Sequence, residues 1–206
     1  MALQQFIETI IKEELSAASN QFSIEELISI QTRRDVYTYL NQTLGHPLNG
    51  GSARIVYAID DKTVIKYAYD GDYYQNENEL RNSKCLGKHY AVQVFQHHPE
   101  FWWLIEERLT QTTRTSLPEK FHELTGMLTD VATIKELFGF NSIKNDWDGI
   151  VHETTKVLHD KLMQNQWYSG LKKSLDGCGV SAIDFGFPNW GIRDSTGELV
   201  LLDLGF

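Results

Sequence analysis

The first part of the chain carries apolar residues at helical spacing. These apolar positions are Phe6, Ile7, Ile10, Ile11 and Leu15. They recur every three or four residues, which predicts a helix that ends in the polar run 16–20. A second helix is predicted to begin at Ser23 and to continue through Ile30 to Leu40, because Ser23 and Glu26 have the S-x-x-E spacing of a capping box and apolar residues follow at helical spacing. Residues 1–43 therefore predict an N-terminal helical extension, which covers apolar surface downstream or contacts a partner protein.

From Gly45 the pattern changes to that of a sheet. Glycine and asparagine at 49–51 break the helical period, and β-branched and aromatic runs follow. The predicted strands are 55–59, 63–67, 90–95 and 101–109. A short helix at 75–86 is inserted between them and ends at Gly87. Residues 44–110 thus predict an antiparallel sheet with one helix and a glycine-rich entrance to its first hairpin.

Beyond residue 110 the period is helical until a closing pair of strands. One or two helices run to about residue 138, and an apolar stripe over 150–175 predicts one long helix that ends near Gly177. The closing strands are predicted at 189–192 and 199–202. Helices, antiparallel strands, helices and a hairpin in this order predict an α+β fold in two lobes, with a reduced, mainly helical lobe at 111–206.

Composition narrows the class of protein. A chain of 206 residues with 41% hydrophobic content can bury a core, and 19 basic against 28 acidic side chains give a net charge of −9. That balance argues against a nonspecific nucleic-acid or anionic-membrane binder. The sequence has neither a signal-peptide pattern nor an apolar run long enough for a membrane span, so we expect a cytoplasmic protein. Cys85 and Cys178 form no C-x-x-C motif, and we expect two reduced, buried thiols.

Residues suited to chemistry are spread along the chain in a particular order. The upstream set consists of the glycine-rich turn with Gly50, Gly51, Ser52 and Arg54, the strand lysine Lys66, and the helix acids Glu77 and Glu79. The downstream set consists of Asp184 and Asn189 in Asp-x-x-x-x-Asn, and Asp203 in Asp-Leu-Gly. This order resembles the protein-kinase-like fold family, whose signature is a glycine-rich loop, a strand lysine, a helix glutamate, D-x-x-x-x-N and D-F-G. The resemblance covers roughly residues 44–206.

The resemblance implies that the upstream residues bind ATP. Backbone N–H groups of the glycine-rich turn would approach the phosphates, and Arg54 would contact phosphate or cover the loop. Lys66 would hold the α- and β-phosphates, fixed by Glu79 or by its neighbour Glu77. The backbone from Glu106 to Leu109, in the hinge between lobes, would hydrogen-bond adenine.

The downstream residues would then hold Mg²⁺ and act on the acceptor. Asn189 and Asp203 provide the hard oxygen ligands that Mg²⁺ prefers. Asp184 would lie near the attacking hydroxyl and orient it or accept its proton. The resemblance thus implies an ATP-dependent phosphotransferase that uses Mg-ATP, with Asp184 and Lys66 as the catalytic residues.

Several positions depart from the regulated protein kinases. Only Gly51 keeps a glycine among the three signature positions, and Ala182, Ile183 and Gly186 replace the usual residues around Asp184. With these departures the sequence more closely resembles the aminoglycoside and choline kinases, which act on small molecules. Only a few residues follow Asp203, so the resemblance implies a C-terminally truncated kinase-like chain that lacks an activation segment and the usual peptide-binding helices.

Three functions remain open at the level of sequence. The first is phosphoryl transfer to an unknown small-molecule or protein acceptor. The second is a pseudokinase-like module that binds nucleotide or a protein without phosphotransfer, because a fold can persist after its activity is lost. The third is nucleotidyl transfer (AMPylation), which would use the same residues.

Overall fold

The structure of the protein is a computed structural model that describes residues 22–51, 53–141, 146–147, 153–180 and 185–205. The helix predicted before residue 21 lies outside these ranges. The chain divides into two compact units. The first comprises the residues up to Asn76 together with Val94–Arg108, and the second comprises Glu77–Gln93 and the residues from Leu109 onward.

Two helices open the described part of the first unit. Helix α1 (Ile24–Ser29) begins as predicted, because the Ser23 side chain caps it by accepting a hydrogen bond from the backbone N–H of Glu26. Helix α2 (Arg33–Leu44) has its own cap, Thr32. The prediction of one continuous second helix is therefore wrong, because the chain is extended between the two helices and a second cap restarts it.

A five-stranded antiparallel sheet follows in the first unit. Its strands are β1 (Asn49–Gly50), β2 (Arg54–Ala58), β3 (Thr63–Ala68), β4 (Val94–His97) and β5 (Trp103–Glu107). They are arranged in the order β1-β2-β3-β5-β4. The apolar side chains of the central strands pack with Leu27, Val36 and Leu40 of the two helices in one core. The predicted antiparallel sheet and its first hairpin are confirmed, but the strand predicted at 90–95 is observed at Val94–His97 instead.

Helix α3 (Tyr73–Leu86) connects the two units and confirms the predicted inserted helix. It ends at Gly87, whose φ of 74° is the left-handed conformation that glycine adopts easily. Its buried positions follow helical spacing but are mostly polar. These buried polar residues are Asn76, Glu79, Asn82 and Ser83. Because buried polar side chains need hydrogen-bond partners, this face of α3 contributes hydrogen bonds as well as packing.

The second unit combines helices with a small sheet. Its helices are α4 (Ser116–Thr125), α5 (Val131–Gly139), α6 (Glu153–Leu162) and α7 (Gln166–Cys178). Its strands are β6 (Thr110–Gln111), β9 (Trp190–Ile192) and β10 (Leu199–Leu201), in the order β10-β9-β6, and the short pair β7 (Phe140–Asn141) and β8 (Asp146–Trp147). Phe121, Phe138, Tyr168 and Trp190 are completely buried in its core. The mixed α+β composition predicted from the sequence is confirmed.

The predicted long helix at 150–175 is wrong. Two helices, α6 and α7, replace it, and the helical conformation is interrupted between Leu162 and Gln166. Asn165 causes the restart, because its side chain accepts a hydrogen bond of 2.9 Å from the backbone N–H of Tyr168. The apolar period continues across the break because both helices contribute to the same core.

The two cysteines also differ from their prediction. Cys85 and Cys178 form a disulfide bond, with Cα atoms 5.9 Å apart and a sequence separation of 93. They sit at the ends of α3 and α7, which the fold of the second unit brings together. Nothing local in the sequence reports that proximity, so the expectation of two reduced thiols is corrected.

The sequence predicts no membrane-spanning segment. Among the helices of the described residues, none has both the length and the apolar content needed to cross a bilayer.

Candidate functional site

The clearest charged feature of the first unit is a buried ion pair between β3 and β5. The Lys66 Nζ lies 2.7 Å from Glu106 Oε1, and the two side chains are 7% and 0% exposed. Lys66 is aligned with Leu104 and Glu106 with Val64, so the two residues are diagonal neighbours on one face of the sheet. The sheet therefore presents an ordered ammonium group that is held in place by a buried carboxylate.

Two successive hydrogen bonds hold the start of β2, which belongs to the same sheet as the ion pair. Arg54 is buried, and its Nη1 donates to Asn76 Oδ1 over 3.3 Å. Asn76 in turn donates through Nδ2 to the backbone carbonyl of Phe101 over 2.9 Å. Phe101 has a φ of 58°, an unusual left-handed backbone for a bulky residue, in the turn between β4 and β5. The contact with Asn76 helps to hold that turn.

The glycine-rich turn lies between β1 and β2, as the sequence predicts. Gly50 is aligned with Ile55 in the hairpin, and the Gly51 N–H donates to the Arg54 carbonyl over 2.9 Å. Gly51 is exposed, while Ser52 lies outside the described residues. The buried Arg54 side chain bonds to Asn76, and its predicted role, to contact phosphate or to cover the loop, stays a prediction.

In the second unit, the strand pair β9 and β10 places two predicted metal ligands at the same end of a hairpin. Trp190 is aligned with Leu201, and the Leu202 N–H donates to the Asn189 carbonyl over 2.8 Å. Asp203 is the next residue, so Asn189 and Asp203 lie on adjoining chain ends. The Asp203 Oδ1 accepts a hydrogen bond of 3.2 Å from the Gly205 N–H. Two residues separated in sequence are thus brought together by the strand register.

Helix α3 supports the segment that carries Asp203. The buried Asn82 donates through Nδ2 to the carbonyl oxygen of Leu204 over 2.9 Å. Glu79, one turn earlier on the same helix face, has no exposed surface. Glu77 is exposed on the opposite side of the helix. Of the two acids that the sequence leaves as alternatives, only Glu79 is thus buried. A bond between Glu79 and Lys66 stays a prediction.

The remaining predicted residues have different positions. The Glu106 backbone lies inside the sheet, aligned with Val64 of β3 and Val94 of β4. The Leu109 side chain packs against Gly191, where an added Cβ would approach Leu109 Cβ to 2.7 Å. Asp184 lies outside the described residues. The adenine contacts and the role of Asp184 therefore stay predictions.

Three side chains at these places were not found from sequence. The carboxylate of Glu106 was considered only for its backbone, and Asn76 and Asn82 were not considered at all. For the two asparagines a signal exists, because a polar residue at every core-facing turn of a predicted helix is unusual. Glu106 had a signal as well, since it is an acid in an otherwise apolar strand.

The chemistry of the donors can be tested against Mg²⁺. The described residues contain no group of three or more His, Cys, Asp or Glu side chains that could enclose a metal ion. Mg²⁺ bound with a nucleotide does not need one, because it usually takes one or two protein oxygens, phosphate oxygens and water. One carboxylate from Asp203 and one carboxamide from Asn189 fit that pattern.

Two surface cavities lie away from these residues. One, of about 420 Å³, is in the first unit beside His98, Trp102 and Trp103. The other, of about 500 Å³, is in the second unit beside Tyr90 and Trp167. Burial lowers the pKa of His98 below its usual value. Neither cavity is lined by a predicted site residue.

The chain was compared with known proteins at three levels. No protein-family model matches it, and no curated protein matches it either. Among solved structures, SAICAR synthase from Saccharomyces cerevisiae in complex with SAICAR has a TM-score of 0.37 and 12% sequence identity to it, over 77% of this chain and 72% of that chain. This similarity is too low to assign a function, which has to be argued from the residues of this chain.

Proposed function

We propose that the chain binds Mg-ATP and is an ATP-dependent phosphotransferase with a two-lobed, protein-kinase-like fold. The observation that carries the proposal is the buried lysine Lys66 on the middle strand of a five-stranded antiparallel sheet, fixed 2.7 Å from a carboxylate. A lysine that is buried only to stabilise a fold is rare, because its desolvation costs more than an apolar residue would. A strongly anionic ligand such as ATP gives that cation a function.

The first hairpin of the sheet supports the same ligand. Gly50 and Gly51 precede β2, and because glycine has no side chain, phosphate oxygens could come close to the backbone of this turn. Arg54 bonds to Asn76, which keeps the long arginine side chain on the inner side of the turn. The turn leads into β2, and Lys66 lies on the neighbouring antiparallel strand β3. One sheet therefore carries both the turn and the ammonium group that would contact the phosphates.

The second unit would contribute the metal ligands. Asn189 and Asp203 lie at one end of the β9–β10 hairpin, and Asn82 fixes the carbonyl that follows Asp203. A bound Mg²⁺ would neutralise phosphate charge, which is the main requirement of phosphoryl transfer. Asp184 would orient the hydroxyl of the acceptor or accept its proton. The acceptor is an unknown small molecule or protein.

Label transfer from ATP tests the reaction. We expect release or transfer of the γ-phosphate from γ-labelled ATP, and a fall of about 10²- to 10⁴-fold in kcat for Asp184→Asn. Asp160→Asn is the matched control, because Asp160 is an exposed acid on α6. In a parallel reaction with α-labelled ATP, transfer of the label to an acceptor would indicate nucleotidyl transfer. Binding without any turnover would indicate a pseudokinase-like module.

A further inference from the structure

The disulfide between Cys85 and Cys178 joins two helix ends within the second unit. Cys85 lies in the last turn of α3 and is exposed, and Cys178 is the last residue of α7 and is partly buried. An exposed sulfur can be attacked by an external thiolate, whereas a fully buried one is protected. The bond therefore combines a structural position with access for a reductant.

On the α3 side, the bond lies one helical turn from a contact with the predicted metal-binding segment. Asn82 is 5% exposed and precedes Cys85 by one turn. Its side chain donates to the carbonyl of Leu204, directly after Asp203. A shift at the end of α3 would thus change the hydrogen bond that holds the chain beside Asp203.

On the α7 side, the bond lies beside a helix end that is already well fixed. Gly179 ends the helix in a left-handed conformation with a φ of 64°, and the Val180 N–H donates to the Leu175 carbonyl. Leu171 and Leu175 hold α7 in the core. The end of α7 is therefore held by contacts of its own in addition to the disulfide.

Other contacts at the end of α3 limit how far it can move. Leu86 and Ala91 are buried in the same core as α7, and the Gly87 N–H donates to the Ser83 carbonyl. Opening the disulfide would therefore loosen the last turn of α3 without unfolding the second unit. A graded local change of this kind is what a switch requires.

We propose that the Cys85–Cys178 disulfide is a redox switch that controls the segment of Asp203. In the oxidised chain, the bond holds the end of α3 against α7 and keeps Asn82 on Leu204. A small dithiol or a dithiol protein reduces it: one thiolate attacks the sulfur of the exposed residue Cys85, the bond to Cys178 breaks and Cys178 leaves as a thiolate. The second thiol of the reductant then attacks the mixed disulfide, closes the reductant's own disulfide and releases the Cys85 thiolate. Two electrons and two protons pass to the chain, and both cysteines become thiols. Control of Mg-ATP binding by this switch rests on the proposed function.

The redox state of the compartment decides whether the bond is permanent or reversible. Reducing conditions in the cytoplasm make permanent disulfides rare there, and those that form are usually transient or redox-sensing. In a reducing compartment the bond would form by exchange with a disulfide such as glutathione disulfide, which is reduced to two thiols, and it would open by exchange with a dithiol.

The first experiment determines whether the bond forms and opens. The full-length chain is purified without reductant and alkylated before and after treatment with dithiothreitol, and its mass is measured. We expect no alkylation before treatment and two alkylated cysteines after it, with the chain folded in both states. Two free thiols in the chain exposed to air and glutathione disulfide would overturn the proposal.

The second experiment locates the effect by hydrogen exchange. We expect peptides that cover residues 79–86 and 202–205 to lose protection on reduction, while a peptide that covers β3 keeps it. Asn82→Ala in the oxidised chain should reproduce the loss at 202–205 with the disulfide intact. The double variant Cys85→Ser with Cys178→Ser should match the reduced chain and no longer respond to dithiothreitol. Unchanged protection at 202–205 after reduction would overturn the proposal.

A third measurement separates this proposal from the proposed function. If the chain binds Mg-ATP, reduction should weaken binding by about 10-fold, the lower limit for loss of a residue that supports a metal ligand. The exchange measurement needs no nucleotide. A redox response at 202–205 without Mg-ATP binding would keep the switch and remove the proposed function, whereas Mg-ATP binding that ignores the redox state would do the reverse.

Discussion

At the scale of single residues, Lys66 and Glu106 form the least expected contact in the first unit. A lysine and a glutamate that lie 2.7 Å apart inside a sheet lose much of their hydration. The attraction between them offsets that loss only while both are present. Removing one partner therefore costs much more than removing both.

Stability measurements on variants of this pair test that asymmetry. Lys66→Met leaves the Glu106 carboxylate buried without its cation, and we expect it to lower the free energy of unfolding by about 3 to 5 kcal/mol. The double variant Lys66→Met with Glu106→Leu should recover most of that loss. Urea unfolding provides the measurement, and Lys62→Met at an exposed turn is the control. A Lys66→Met chain within about 0.5 kcal/mol of the parent would contradict the buried pair.

His159 and Tyr168 form a second buried polar contact, in the second unit. The Tyr168 hydroxyl donates to the Leu137 carbonyl, and it lies 2.8 Å from His159 Nδ1. Since the hydroxyl hydrogen is used, His159 Nδ1 must be the donor in the second bond. Burial, aided by the positive charge of Lys172, lowers the pKa of His159 below its usual value.

That shift predicts how stability depends on pH. A histidine with a lowered pKa in the folded state takes up its proton more readily when the chain is unfolded. Its contribution to stability is therefore complete above the unfolded pKa of about 6.5 and is lost as the pH falls below it. The loss is at most about 1.4 kcal/mol per pH unit. Urea unfolding at several pH values should show a smaller acid loss in His159→Gln than in the control His122→Gln. Equal losses of stability at acid pH in the two variants would contradict a lowered pKa of His159.

At the scale of elements, local sequence signals predicted where helices begin and end better than they predicted whether a helix is continuous. Ser23 and Gly87 act as the caps that their residue types indicate. Apolar periodicity, by contrast, ran across Ile30 and across the break before Gln166, because it records which side faces the core and not whether the backbone is continuous. In both breaks a capping side chain restarts the helix, from Thr32 and from Asn165.

The cap at Asn165 can be tested by itself. Its side chain accepts from the Tyr168 N–H and donates to the Leu124 carbonyl. We expect Asn165→Ala to lower the free energy of unfolding by about 0.5 to 2 kcal/mol, as for other helix N-caps. Gln164→Ala, one residue earlier and exposed, should change it by less than about 0.5 kcal/mol. Similar values for the two variants would show that α7 does not depend on this cap.

At the scale of the whole molecule, contacts between distant residues were the least predictable. The candidate positions Lys66, Asn189 and Asp203 came from residue type and order in the sequence. The contacts of Glu106 with Lys66, Asn82 with Leu204, and Cys85 with Cys178 depend on strand register and helix placement, which no local pattern encodes. Sequence therefore predicted the α+β class and the candidate chemistry, and the structure supplied the partners.

The measurement that tests the central claim most directly is thermal unfolding of the full-length chain with and without Mg-ATP. A ligand at 100 times its dissociation constant stabilises the folded state by about 2.7 kcal/mol, so we expect Tm to rise by about 5 to 11 °C. Asp203→Ala should lose most of that rise, and Asp160→Asn should keep it. No rise in the folded parent chain, or an undiminished rise in Asp203→Ala, would contradict a Mg-ATP site that depends on Asp203.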